Sequence, residues 1–588
     1  MSDREPVQIV EIDIDYCSLT YGTGACTAVL GTTGVRKCYN TFKTCQATAA
    51  FDKVPLTLRF ANTRSNFPKG QTYFPVLQSV TAFSSSVNIA GSNPKLGDLG
   101  KRAKVTASLV DFPYHDRYTD KYQAERVDGT AQTDEGGYDP MDRGTFFTKL
   151  KNRFPFYAGR PMRVIDGFIS NGELVDTQTR HFIVTDINGP DSSGRVSIEG
   201  KDVLTLADKK SSLAPTPSRG ALDREIDEVA TTFDLIPSGV GAEYPSSGYA
   251  VIGSEIVTYT RSSDTITLTE RAVKGSEVSS HNEDDTFQIA ISYEDEFLDD
   301  VIYDLFVNYA NIPASYIDTT AWAEEVERWG PTKKIFTTIT EPTGVAELVG
   351  ELSVIGVSIW WDDVNQKIGL RITKPPELFN VIPDFNDNEH IKDISQEDRD
   401  EDRLTQIHFY TVQSDPTEGV KEKSNYDRIR ATIDAVAEQA NSYNDTRVRE
   451  IFFRWFNTGN DTQARLSSLR LLQRLRNAPK SFTITLDAKD RDIGLTDVIR
   501  VTSRVITDDT GKAEPTLLQV TQRVEKQSGH EVQISAQSYQ YDGKYGYVME
   551  NTANVYGSAT ATEKATGGYI VDETTLKFPD GADPYVII

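Results

Sequence analysis

The amino-acid sequence predicts a β-rich α+β multidomain protein with an inserted small β-module, a helical and mixed middle region and a four-cysteine N-terminal metal-binding segment. Three observations carry that prediction. The chain has 588 residues, the length of about four domains. Runs of apolar/polar alternation recur along it, interrupted from residue 293 by a stretch with the longer apolar period of a helix. All four cysteines lie within the first 45 residues.

Composition sets outer bounds. Hydrophobic residues make up 38%, aromatics 10% and charged residues 25%, which is globular and too aromatic for a disordered chain. Lys+Arg 62 against Asp+Glu 87 leaves a net charge of −25. That sign argues against a general nucleic-acid binder, which needs cations to displace counterions, and against docking on anionic lipid. No window approaches the roughly 18 uncharged apolar residues of a membrane span, so no membrane insertion is expected. The opening MSDREPVQIVEIDID is acidic and has no apolar core, so it does not read as a secretory signal.

The cysteines are Cys17, Cys26, Cys38 and Cys45, spaced C-x8-C-x11-C-x6-C. Two disulfides would require an oxidising compartment. A zinc ribbon or finger usually supplies close C-x2-4-C knuckles, and none is present. A four-thiolate iron–sulfur cluster accommodates longer, irregular loops because its corners lie apart. Gly22, Gly24, Gly31 and Gly34 between the thiols allow positive φ and close backbone approach to a bound group. From the residues alone, iron–sulfur, zinc, and free or disulfide thiols all remain open.

The phrases DYCSLTYGTGAC and KCYNTFKTCQ resemble the iron–sulfur domain of the tail-tip protein L of phage lambda and the opening of hub proteins in long, flexible-tailed phages and gene transfer agents. The middle gap is shorter here than in lambda L. The resemblance implies an iron–sulfur segment over residues 1–50, with a 4Fe-4S cluster on Cys17, Cys26, Cys38 and Cys45 and zinc as the alternative. A second resemblance lies in YHDRYTDKYQAERVDG, GTFFTKLKNRFPFYAGRPMRVIDG and VSIEGKDVLTLAD, which are similar to the first hub domain of siphophage tail-tip proteins. It implies small tail-hub β-barrels.

Residues 51–218 form the first of these. PLTLRF, VTASLV, HFIVTDI and RVSIEG alternate as strands, and a short helix over 144–156 puts Phe146, Phe147 and Leu150 on one face. SSLAPTPSRGALDREID (211–227) reads as a linker. Residues 219–290 make the small inserted β-module, with IVTYTR and TITLTER as a hairpin. Over 291–380 a mixed α/β hub domain is expected. Phe297, Leu298, Val301, Ile302, Leu305, Phe306 and Tyr309 form one helical stripe. Val345, Leu348, Val349, Leu352 and Ile355 form another, and 357–372 is a hairpin carrying Trp360 and Trp361 on opposite faces. An aromatic core pair is the simplest reading of the two tryptophans.

Residues 381–540 are expected to be a second hub β-barrel with a helix. In it QEDRDEDR (396–403) reads as a solvated loop and IRATIDAVAE (429–438) fits strand or helix equally. The helix is capped by Asn460 or Asp461. It turns Leu466, Leu469, Leu472 and Leu475 inward, with Arg465, Arg470, Arg474 and Arg476 on a solvated face. Residues 541–588 read as an extended C-terminal arm with an apolar end.

Catalytic patterns are missing from the sequence. His115, His181, His281, His390, His408 and His530 are scattered and form no HExxH, and neither GxSxG nor GxxxxGK[ST] occurs. A carboxylate pair of the glycosidase kind is defined in space, not in sequence. The expectation is therefore a non-enzymatic protein. The resemblance implies the structural hub of a siphophage tail tip or baseplate in the virion, assembled in the host cytoplasm. Such a hub is a homotrimer joining the tail tube end and the distal tail protein to the tape measure and the central tail fibre or receptor-binding protein. DNA would pass through without specific binding, and three copies of the −25 chain would surround it with about −75 of like charge. The rival readings are a tail-associated cell-wall-degrading enzyme and a host-receptor-binding adhesin that uses residues 219–290.

Overall fold

The computed structural model describes residues 5–62, 67–83, 85–89, 99–374, 382–476, 479–490, 492–527, 531–539 and 554–566. The β-rich multidomain expectation holds: six sheets are joined by short helices.

The first sheet contains β1 (Glu5–Cys17), β2 (Lys53–Ala61), β3 (Tyr73–Phe74), β4 (Leu77–Phe83), β5 (Lys104–Val110), β6 (Pro161–Ser170), β7 (Glu173–Asn188) and β8 (Arg195–Lys201), in the order β3-β2-β1-β6-β7-β8-β5-β4. It wraps one aromatic-rich core that includes Phe60, Phe74, Phe146, Phe147 and Phe154. Among the described residues no ladder pairs β3 with β4, so the expected barrel is a half-barrel with two edges. Two helices attach to it, α1 (Gln123–Asp128) and α2 (Phe146–Arg153). The latter buries Phe146, Phe147 and Leu150 as the sequence pattern required.

The 1–50 boundary is not where the fold divides. β1 is an interior strand, paired with β2 from Ile9–Ala61 to Cys17–Lys53 and with β6 on its other side. Val10, Ile12 and Ile14 enter the half-barrel core. The alternating acids face the other way and are neutralised: Glu11 and Asp13 accept from Arg163 (2.7 Å each), and Glu11 also accepts from Arg59 (2.9 Å). The cysteine segment is thus a loop inserted between β1 and β2. The acidic start is a strand whose charges serve as cross-strand partners.

The second sheet runs in the spatial order 221–222, 232–236, 265–270, 255–262, 247–252, 287–297 and 334–339. It surrounds its own core of Phe233, Tyr244, Tyr259 and Phe287 with smaller neighbours. The hairpin turns at Ser263, whose φ is 57°. Residues 211–227 are not a free linker. Leu213–Ala214 pairs with Thr343–Gly344, Ala221–Leu222 joins the sheet, and Ala214, Leu222 and Ile226 are buried.

The largest core combines residues 298–372 with 404–475. The first helical stripe forms a helix over Leu298–Asp304 that widens into a π-turn over Leu305–Tyr309, while Phe297 stays 44% exposed. All five residues of the second stripe are buried. A helix over Thr319–Trp329, buried through Trp322 and Val326, was not expected. Trp361 is core and donates to the His181 carbonyl (2.9 Å). Trp360 is half-buried beside Val87, Ile89 and Leu495, so the pair divides between core and a junction within the chain.

The expected second barrel resolves into two sheets. Strands 384–386, 391–398, 480–487, 498–502, 516–527 and 531–538 form a six-stranded sheet with its own core. Strands 406–413, 426–433 and 448–453 form a separate three-stranded sheet under the helix Asp461–Leu475, so 429–433 is strand. Two charge readings are corrected. Within 396–403, Arg403 is 3% exposed and pairs with Asp400 (2.9 Å) and Asp445 (3.2 Å). On the helix, Leu471, Leu472, Leu475 and Arg474 are buried while Leu466 and Leu469 are half-buried. Arg474 donates to Gln519 (3.3 Å), and burial pushes its pKa down to about 10. Of the expected C-terminal arm, residues 554–566 carry a 3-10 turn and a helix over Ala561–Thr566. The apolar end KFPDGADPYVII lies outside the described residues.

Candidate metal centre

The loop between β1 and β2 brings Cys17, Cys26, Cys38 and Cys45 to the wall of one small cavity. Cys17 is the last residue of β1, so a sheet strand fixes one corner. Its N–H donates to the Asn40 carbonyl (2.7 Å), and the Asn40 side chain returns hydrogen bonds to the Cys17 and Leu19 carbonyls (3.1 Å each). Asn40 sits at φ 55°, a conformation asparagine tolerates better than most residues. Cys26 follows a tight turn closed by its N–H on the Thr23 carbonyl (3.2 Å), and Cys45 ends a 3-10 turn over Phe42–Thr44.

Three of the four glycines behave as expected: Gly22, Gly24 and Gly31 have φ of 68°, 62° and 81°. Gly34 does not adopt positive φ. Its requirement is space, because a Cβ there would stand 2.3 Å from the Gln46 amide. That amide knits the loop together, accepting from Tyr21 (2.6 Å) and Thr33 (2.9 Å) and donating to the Arg36 carbonyl (2.6 Å).

None of the four cysteines forms a disulfide. Burial pushes the Cys38 thiol up, and the neighbouring Cys45, Cys26 and Cys17 push it further. Cys45 is raised by burial and then by Cys17 and Cys26. Cys38 and Cys45 therefore feel their cysteine neighbours, and ionising them calls for a compensating cation. A soft, thiolate-binding metal fits that donor set. As placed, no three His, Cys, Asp or Glu among the described residues converge on the single point a lone ion needs.

A segment distant in sequence covers the cysteine loop from outside. Residues 114–138, between β5 and β6, fold over the cysteine loop. The Lys37 N–H donates to the Ala131 carbonyl (3.0 Å) and the Thr133 N–H to the Val35 carbonyl (3.1 Å). The Tyr21 N–H donates to the Tyr122 hydroxyl (2.6 Å). Tyr21, Ala28, Tyr122 and Ala131 form a small apolar cluster against Cys26 and Cys38. These contacts span about a hundred residues of sequence, and no local pattern encodes them.

A larger cavity, of about 410 Å³, opens where the first sheet, the 357–372 hairpin and the six-stranded sheet meet. Arg180, Arg371 and Arg523 face Asp363 and Asp497 there. Asp363 is pushed up by burial, with Arg180 and Arg523 opposing the shift. Elsewhere, His281 Nε2 lies 2.8 Å from buried Glu255, which Arg271 also clasps (2.8 and 2.7 Å). That knot holds the module's strand 255–262 to the segment 271–281.

No protein-family model matches the chain, and no curated protein does either. Among solved structures it is similar to a tail protein from Neisseria meningitidis (12% identity, TM-score 0.31, covering 65% of this chain and 89% of that one). It is also similar to the 43 kDa tail protein of prophage MuSo2 from Shewanella oneidensis (11%, TM-score 0.34, 78% and 97%). A third likeness is to a chain of a native gene transfer agent virion (16%, TM-score 0.28, 42% and 47%). Superpositions this loose do not establish a common fold, and the functional reading rests on the chain's own residues.

Proposed function

We propose that this chain is a structural protein of a phage tail, the hub of a siphophage tail tip. In this reading three copies form a ring that joins the tail tube and distal tail protein to the central fibre, and the ring encloses the path of the DNA. In this reading Cys17, Cys26, Cys38 and Cys45 would hold an iron–sulfur cluster of four iron and four sulfide.

The observation that carries the reading is the meeting of those four thiols on one cavity, in a loop held by a strand of a β half-barrel. The motifs DYCSLTYGTGAC and KCYNTFKTCQ that resemble hub proteins are the same residues that build this cavity. A polynuclear cluster also bridges thiolates spread more widely than those around one tetrahedral ion. When bound, the cluster supplies four metal–thiolate bonds that tie the loop together, as structural metals do in small domains. The chain's own part is to present the thiols, bury them and exclude water. The acidic surface suits a DNA conduit, since like charge keeps the phosphate backbone from adhering.

The test is genetic and physical. Phage carrying Cys38→Ser are expected to yield heads without functional tails in electron micrographs, and the purified wild-type chain is expected to sediment as a trimer. Normal virions from the mutant would remove the structural role of the cysteine centre. A chain that remains monomeric alone and with its tail partners would remove the ring.

A further inference from the structure

Two cations from one short segment grip the backbone of the cysteine loop. The Lys121 ammonium donates to three successive carbonyls, those of Cys17 (3.0 Å), Ser18 (2.7 Å) and Leu19 (3.4 Å). Arg126, in α1, is fully buried and donates from Nη2 to the carbonyls of Cys38 (2.9 Å) and Lys37 (3.2 Å). Its guanidinium lies 3.7 Å from the centre of the Tyr39 ring and pairs with buried Asp120 (2.6 Å). Asp120 in turn accepts from the Tyr122 N–H (3.1 Å), the residue whose hydroxyl holds Tyr21. Lys121 and Arg126 thus reach two of the four cysteines, Cys17 at the end of β1 and Cys38 two residues before Asn40.

A charged donor on a carbonyl makes one of the stronger hydrogen bonds in proteins. Fixing that carbonyl fixes the peptide plane, and so the direction in which the neighbouring Cβ and Sγ leave the chain. It also puts positive charge beside groups that must become thiolates. Contacts of this outer kind orient ligands and tune the bound metal.

We propose that Lys121 and Arg126 are positioning residues for the metal group on the four cysteines. They hold the peptides of Cys17 and Cys38 in the binding conformation before metal arrives, so the segment 116–128 is stabilised in turn when the site fills. The inference rests on reading the four cysteines as metal ligands. Both cations act through peptide carbonyls.

The test uses the full-length chain purified anaerobically with its native metal, as wild type, Lys121→Met, Lys121→Arg and Arg126→Lys. Metal release to an excess of chelator is followed by absorbance, and amide exchange is measured over residues 17–19 and 116–128. Lys121→Met is expected to release metal about 10–100-fold faster and to raise exchange over residues 17–19 even in the metal-free chain, with the unfolding midpoint of the half-barrel unchanged. Lys121→Arg is expected to restore most of the retention. Arg126→Lys is expected to act in the same direction; should it fail to fold around buried Asp120, Lys121→Met decides. Release from Lys121→Met at the wild-type rate with unchanged exchange overturns the proposal. A wild-type chain holding neither iron nor zinc overturns the ligand reading and the proposal together, and that result is distinct because it appears before any substitution.

Discussion

Four thiols line one small cavity in the loop after β1. Cys38 and Cys45 are pushed up first by burial and then by their neighbouring cysteines. If these cysteines hold a metal, as proposed, uptake displaces protons from Cys38 and Cys45, and retention should weaken as pH falls because protons compete for the thiolates. The metal-free chain should behave oppositely. A folded-state pKa raised above the unfolded thiol value of about 8.5 gives stability that is present below that value and lost as pH rises through the folded pKa. Urea unfolding of chelated wild type and Cys38→Ser should show this: the wild type loses more stability between neutral and alkaline pH, and parallel curves would contradict the assignment. At this scale the sequence was partly legible. The clustered cysteines and three loop glycines marked the segment that forms the cavity. Gly34, Gln46, Lys121 and Arg126 did not, because their value lies in a Cβ clearance or in a carbonyl brought close by residues about a hundred positions away.

Strands and helices with a clean period were legible as elements. The helix at 146–153 and the stripe at 345–355 follow from their apolar spacing, and the residues it named are buried. What the pattern hid was charge turned inward. Glu11 and Asp13 in β1 and Arg403 near the three-stranded sheet look solvated in sequence, yet each is satisfied by a partner far along the chain. Burial works to raise the Asp13 pKa, but hydrogen bonds from Arg163 and Thr57 and the charges of Arg163 and Arg59 hold it below the usual carboxylate value. Its contribution is present above the unfolded pKa of about 3.9 and is lost as pH falls through the lowered folded value. Arg163→Met should cost about 2 kcal/mol at neutral pH and flatten the acid limb of the unfolding curve. An unchanged acid limb would show that these pairs do not hold β1.

The second element-scale prediction concerns Trp455. It is fully buried, and its indole donates to Glu351 (2.7 Å), which also accepts two bonds from Arg454 (3.0 and 2.8 Å). This joins the 345–351 helix to the strand that ends at Phe453. Trp455→Ala should cost about 3–5 kcal/mol, read from denaturant midpoints. A loss below about 1 kcal/mol would mean the two parts of the largest core are not coupled through it.

The whole molecule closes on itself, and no local signal foretold that. The Val87 N–H donates to the Thr521 carbonyl (2.9 Å) and Ser86 bridges to Gln522, so the segment after β4 meets the last long strand of the chain. The His181 N–H donates to the Asp363 carbonyl (2.8 Å) beside the Trp361 bond, so the first half-barrel also leans on the 357–372 hairpin. Contacts across more than four hundred residues depend on three-dimensional assembly, which no local pattern encodes. The proposed metal–sulfur centre, in a loop of the half-barrel, is the point on which the functional reading turns. The most direct test is iron and acid-labile sulfide per chain in anaerobically purified protein, with its visible spectrum. The account predicts brown protein with about four iron and four sulfide per chain, both lost in Cys38→Ser. Colourless protein with one zinc per chain, or with no metal, would contradict it.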